Sequence, residues 1–321
     1  MSVQNAGERE MEGGLPEENG ASPIEVRGLT MRYGPLVIME DLNFQVHRGE
    51  IFVIMGGSGS GKSTLLKHLI GLKAPAEGSI LFEGQDFLEA DAKTRKGILR
   101  RMGVLYQNGA LWSGLTLAEN VALPLEEYTE LDAQSISEVV SLKLSLVGLR
   151  GFEAFYPSEI SGGMRKRAAL ARATALDPEV LFFDEPSSGL DPISASRLDD
   201  LILQLRDSFG TTIVIVSHDL ESIFKIADRA LFLDIKEKTM TAMGTPEALR
   251  DSPPSDEVRR FMTRTSEPGP EENREAGPEA GPEAALKGGP EFGSEPAPEA
   301  GPSQGSGTSR DKETPKRRNE P

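Results

Sequence analysis

No cysteine occurs anywhere in the chain. Disulfides, thiol catalysis and cysteine-ligated zinc are therefore excluded, and a reducing compartment is consistent with the composition. Long apolar runs are missing too. None approaches the ~20 residues that a membrane-spanning helix needs. The first residues, MSVQNAGEREMEGG, lack the basic start and apolar stretch of a secretory signal and carry the acids that transit peptides avoid. The chain is accordingly expected to stay in the compartment where it is made. Basic residues are in deficit, 35 against 51 acids, for a net charge of −16. Such a balance argues against nucleic acid as the main partner, because phosphate backbones are bound by a basic face.

Hydrophobic residues are also scarce at 37%, and two biased segments account for much of the shortfall. Residues 1–22 are rich in Glu and Gly and read as a disordered head. Residues 264–321 repeat Glu, Ala, Gly and Pro without apolar periodicity and read as a disordered tail, unable to bury enough surface to offset the entropy of ordering. Lys316-Arg317-Arg318 near its end reads as a solvated tip. Between them, residues 23–263 alternate strand and helix patterns, the mark of an α/β domain. Short apolar runs at Ile51–Met55, Met102–Tyr106, Val180–Phe183 and Thr212–Val216 read as buried strands, which need helices on both sheet faces. Helical periodicity marks Leu65–Ile70, Ser135–Leu149, Ala168–Ala175 and Ser194–Leu205.

Chemistry enters with Gly56-Gly57-Ser58-Gly59-Ser60-Gly61-Lys62-Ser63-Thr64, which fits the phosphate-binding pattern G-x-x-x-x-G-K-[ST] between an expected strand and an expected helix. Glycines let backbone N–H groups turn inward around phosphates, and the helix points its positive end at them. Lys62 brings a charge to the β and γ phosphates, and Ser63 offers its hydroxyl to Mg²⁺. Further on, Leu181-Phe182-Phe183-Asp184-Glu185 is an apolar strand ending in two acids. Asp184 is the candidate metal ligand, and Glu185 the candidate group that orients or activates water. Between these stretches, Ser161-Gly162-Gly163 opens a helical stretch, another anion-binding end. His218, alone after a strand, reads on its own as structural or catalytic. His47 and His68 carry no such signal.

Taken in order, these stretches resemble the ABC (ATP-binding cassette) ATPases, whose phosphate loop is followed by a glutamine loop, a Leu-Ser-Gly-Gly-Gln signature, an acidic strand end, an Asp loop and a switch histidine. The resemblance spans roughly Ile24 to Met243. It implies a P-loop NTPase fold, an ABC cassette with a RecA-like core, an antiparallel β subdomain and an α-helical subdomain. It implies ATP hydrolysis with ATP and Mg²⁺ as cofactors. It also implies roles: Tyr33 stacks on adenine, Gln107 serves the metal and catalysis, His218 is the switch histidine, and Ser161, Gly162, Gly163 and Asp191 act at bound nucleotide. In this family two cassettes close head to tail over ATP, so a second copy of the chain is the implied partner.

Three further features narrow the resemblance: Met164 in place of the signature glutamine, Gly109-Ala110-Leu111-Trp112 straight after Gln107-Asn108, and the closing stretch Ser252–Met262. They resemble the ATPases of Mla/MCE-type phospholipid transporters in the bacterial envelope. That implies an MlaE-like permease, an MCE substrate-binding protein reached through it, and a place on the cytoplasmic face of the inner membrane. Leu111 and Trp112 are either a permease contact or simply core. Another ABC importer or exporter is the alternative reading. A non-transport ABC protein fits less well, since those usually carry two cassettes in one chain. The Glu/Ala/Gly/Pro tail has no counterpart in the resemblance.

Overall fold

In the computed structural model, residues 22–264 are described. The expected disordered head and tail lie outside the described residues apart from Ser22 and Arg264.

The described residues start with a long antiparallel hairpin, β1 (Ile24–Tyr33) and β2 (Leu36–Val46). It continues through β3 (Ile51–Gly56), α1 (Lys62–Leu69), β4 (Glu77–Phe82), β5 (Gln85–Asp86), α2 (Ala92–Arg100) and β6 (Met102–Leu105). Two helices follow, α3 (Leu117–Tyr128) and α4 (Ala133–Leu146), and then α5 (Gly162–Ala173). The second half comprises β7 (Val180–Asp184), α6 (Pro192–Phe209), β8 (Thr212–Val216), α7 (Leu220–Ile226), β9 (Arg229–Asp234), β10 (Thr239–Gly244), α8 (Pro246–Asp251) and α9 (Asp256–Thr263).

Two sheets organise these elements. One is four-stranded and antiparallel in the order β2-β1-β4-β5. The other is six-stranded in the order β10-β9-β3-β8-β7-β6, parallel except for β10. Every residue of β3 and β8 is buried, as expected for parallel strands covered on both faces. Alternation then assigns side chains to two cores. Ile51, Val53, Met55, Leu181, Phe183, Ile213 and Ile215 pack with α3, α4, α5 and α6. Phe52, Ile54, Phe182, Val214 and Val216 pack with α1 and the antiparallel sheet, where Phe44 stacks on Phe52 at 5.6 Å between ring centroids.

The expected strands and helices are all present, with shifted ends. Asp132 caps α4 by accepting from Ser135 N, which starts that helix two residues before the expected Ser135. Asp191 caps α6, Pro192 occupies its first turn, and Gly210 at φ 64° closes it, so it outruns the expected Ser194–Leu205 at both ends. Among the described residues no helix is long and apolar enough to cross a membrane.

Candidate active site

Parallel strands deliver their chemistry at their carboxyl ends, where loops leave the sheet. Here β3 ends in the phosphate loop, β6 in Gln107, β7 in Asp184-Glu185 and β8 in Ser217-His218. Neighbouring strands lock them together. Asp184 pairs with Val216, Glu185 N donates to Val216 O at 2.9 Å, and Ser217 N donates to Ile54 O at 3.2 Å.

The loop itself needs glycine. Gly61 lies at φ 85°, and a Cβ there would come within 2.8 Å of Ile38. Its backbone leads directly into α1, whose first turn has no side-chain cap, leaving those N–H groups for an anion. Lys62 is buried and folds back over the loop, donating to Gly56 O and Gly57 O at 2.9 Å each. Burial pushes its ammonium below the usual lysine range, against the pull of Glu185 and Asp184. The loop residues Gly56 to Thr64, with Gln107, Glu185 and His218, line one cavity of about 740 Å³.

Ser63 Oγ donates to Asp184 Oδ1 at 3.1 Å. Burial raises the Asp184 pKa, and the Ser63 hydroxyl opposes that rise. Among the described residues no three His, Cys, Asp or Glu side chains gather as a metal cluster. The adjoining hydroxyl and carboxylate are hard oxygen donors of the kind that fit Mg²⁺ bound through one or two protein ligands plus phosphate. The amide of Gln107 lies in the same cavity and donates to Ser188 Oγ at 3.4 Å.

Glu185 is buried and held at φ 49°, a conformation that costs a non-glycine residue energy and recurs at functional sites. Its carboxylate meets His218 Nδ1 at 2.8 Å, while the His218 side chain stays 64% exposed. The lone histidine is thus tied to the candidate base rather than to the core.

The remaining expected residues are not part of the lining of this cavity. Tyr33 is exposed at the end of β1. A hydrogen bond with the Thr64 side chain holds its hydroxyl below the usual tyrosine pKa, and the Lys73 ammonium lies 3.2 Å from its ring centroid. Ser161 caps α5 by accepting from Met164 N, and the first helical residues are Gly162 and Gly163. Ser161 and Gly163 line a separate cavity of about 320 Å³ with Ser194 and Arg197. Asp191 accepts from Ser194 N at 3.0 Å as the cap of α6.

Two α5 residues that the motifs do not single out hold the site together. Lys166 is buried, donates to Pro186 O at 2.5 Å and Ser188 O at 2.6 Å, and so pins the backbone that follows Glu185. Arg172 donates to Ala110 O and Gly109 O at 2.8 Å, fastening the loop after Gln107. The only sequence signal for either is a cation on an otherwise apolar helical face, since the partners are carbonyls tens of residues away. In that loop, buried Asn120 accepts from Trp112 N and donates to Trp112 O, Leu115 O and Thr116 O. The backbone is fixed while the Trp112 side chain remains 66% exposed. Leu111 packs against the core; Trp112 does not.

Residues 39–188 match the ABC transporter family. The chain is 46% identical over 229 residues to the intermembrane phospholipid transport system ATP-binding protein MlaF of Haemophilus influenzae, covering 71% of this chain and 86% of that protein. Against the MlaF of Escherichia coli K12 the identity is 41%, covering 77% and 90%. A probable ribonucleotide transport ATP-binding protein, mkl of Mycobacterium leprae, is 44% identical, covering 74% and 68%. Among solved structures, a dimeric ATP-binding cassette in a post-hydrolysis state bound to ADP and Pi superposes with a TM-score of 0.63 at 27% identity, covering 69% of this chain and 98% of that one.

Proposed function

The chain belongs to the ABC transporter family of ATP-binding ATPases, and from that premise we propose that it powers phospholipid movement across a bacterial envelope. It does so as the motor beneath an MlaE-like permease that works with an MCE protein, at the cytoplasmic face of the inner membrane. The observation that carries the lipid reading is the Gly109-Ala110-Leu111-Trp112 loop: its backbone is clamped by Arg172 and Asn120, and it presents an exposed tryptophan beside a groove of about 320 Å³ lined by Tyr106, Pro124 and Arg172. The two MlaF relatives are named for phospholipid transport.

In this reading the phosphate loop and α1 hold the ATP phosphates, with Lys62 turning from the loop carbonyls to the β and γ phosphates. Tyr33, tied to Thr64, stacks on adenine. Ser63, Asp184 and Gln107 would hold Mg²⁺, which would supply charge neutralisation at the phosphates. Glu185 orients a water at the γ phosphate and takes its proton, with His218 fixing the carboxylate and Gln107 beside it. The water oxygen bonds to the γ phosphorus as the bond to the ADP oxygen breaks, leaving ADP and phosphate. The signature residues Ser161, Gly162 and Gly163 and the Asp191 cap do not line the cavity of the phosphate loop in the same chain. A second copy, placed head to tail, brings them to it.

Replacing Trp112 tests the lipid-permease reading at one residue. A large aromatic filling a partner pocket is the usual hot spot, so Trp112→Ala should weaken assembly with the permease by ~2 kcal/mol or more. The exposed side chain contributes little to folding, so the melting temperature of the isolated chain and its ATP binding should hold. Co-purification with the permease and a thermal melt make the check. A mutant that assembles normally sinks this contact, and with it the best residue-level support for the lipid assignment.

A further inference from the structure

The cavity of the phosphate loop has a wall that none of the recognised motifs supplies. Arg260, Phe261 and Arg264, from α9 and its C-terminal cap, line it together with Gly56 to Thr64, Glu185 and His218. These residues are brought there by packing. Val258 and Met262 are buried in the core on one side of α9. Phe261 packs edge-on against Phe232 of β9 at 5.3 Å between centroids. Phe232 in turn pairs with Met55, and Leu233 with Gly56, at the end of the phosphate-loop strand. The helix is therefore fixed to the strand beside the loop. Its cap Ser255, accepting from Val258 N at 3.2 Å, sets where it begins.

The cations on this wall are oriented. Glu257 accepts from Arg260 Nη2 at 2.9 Å and also meets Lys236 at 3.2 Å. Arg264 ends the helix at φ 54°, and its Nη2 lies 3.7 Å from Asp219 Oδ1. Asp219 follows the switch histidine, caps α7, and accepts from Ser187 Oγ at 3.3 Å. Arg264 thus spans from the C-terminal helix to the segment that carries His218 while its side chain stays 67% exposed. In a chain of net charge −16, the lining of the cavity holds three cations, Lys62, Arg260 and Arg264, and one carboxylate, Glu185, with Glu257, Asp219 and Asp184 behind them as partners of Arg260, Arg264 and Ser63. That charge balance suits a polyphosphate, and guanidinium is the side chain whose planar fork matches phosphate oxygens.

We propose that Arg264, with Arg260 behind it, is a second cationic wall of the nucleotide pocket that binds the phosphates of ATP. The site thereby extends into the last described helix, well past residue 188, where the family match ends. The inference rests on the reading that this cavity holds ATP.

Arg264→Glu, made in the full chain and assayed in the assembled transporter, should raise the KM for ATP about tenfold. Arg264→Lys, which keeps the charge, should recover most of it. Because the contact is electrostatic and solvent-exposed, the gap between wild type and Arg264→Glu should shrink as salt rises from about 0.05 to 0.5 M; a purely structural role gives no such salt dependence. Titration with a fluorescent ATP analogue measures affinity directly, with Lys62→Ala as the companion. Unchanged affinity in Arg264→Glu, with affinity lost in Lys62→Ala, overturns the second wall and leaves the ATP pocket standing. Affinity retained in both overturns the pocket reading itself. Should Arg264→Glu lower the melting temperature, Arg260→Gln and Arg260→Lys make the same comparison, and equal affinity in that pair also overturns the proposal.

Discussion

Glu185→Gln should bind ATP nearly as the wild type does and hydrolyse it about 100-fold more slowly or worse. Glutamine keeps the size of the side chain and cannot take a proton, and removing a positioned general base typically costs ~10²–10⁴ in rate. The local frame favours a clean result. The positive φ of residue 185 is held by the Val216 hydrogen bond and by Lys166 under the following carbonyls, none of which involves the carboxylate. His218 loses a charged partner at 2.8 Å and keeps a neutral acceptor. If ATP is the glue between head-to-tail copies, stalled hydrolysis should trap the closed pair. Light scattering with ATP and Mg²⁺ then reads twice the mass of the chain. A variant that stays monomeric with saturating ATP removes the argument for a nucleotide sandwich.

Lys62→Ala should abolish hydrolysis and weaken ATP binding by about 100-fold, since hydrogen bonds to charged groups are each worth ~1.5–3 kcal/mol and this lysine serves two phosphates. The fold should be little affected. Two loop carbonyls lose a donor, but a buried ammonium whose pKa burial pushes down is also removed, and these effects oppose each other. A thermal melt of the isolated chain and an ATPase assay of the assembled transporter separate the outcomes. Wild-type turnover in Lys62→Ala would mean that this loop is not the site.

How far the sequence reveals this molecule depends on the kind of order involved. Ile51–Met55 and Thr212–Val216 are legible because a parallel strand covered on both faces has to be apolar throughout, and a run of that kind is visible without partners. The phosphate loop is legible because glycine spacing, lysine and hydroxyl are adjacent in the chain. The antiparallel sheet is much less so. β1 changes register between Val26 and Leu29 and again around Met31, and such irregularities break the two-residue alternation that would mark it; only the resemblance implies it. Helix ends are hidden where the cap lies outside the apolar pattern, as with Asp132 and Asp191. Lys166, Arg172 and Arg264 act on groups distant in sequence, so only the fold discloses what they hold. Trp112 is the middle case: the run after Gln107 singles it out as a permease contact with core as the alternative, and exposure with a pinned backbone favours the contact.

Reconstituting the complex pulled down with the tagged chain into liposomes carrying labelled phospholipid tests the central claim most directly. The account predicts an MlaE-like permease among the co-purifying subunits, with phospholipid movement that requires ATP and stops with Glu185→Gln. ATP hydrolysis that moves no phospholipid but drives ribonucleotide or another solute through the same complex would contradict it.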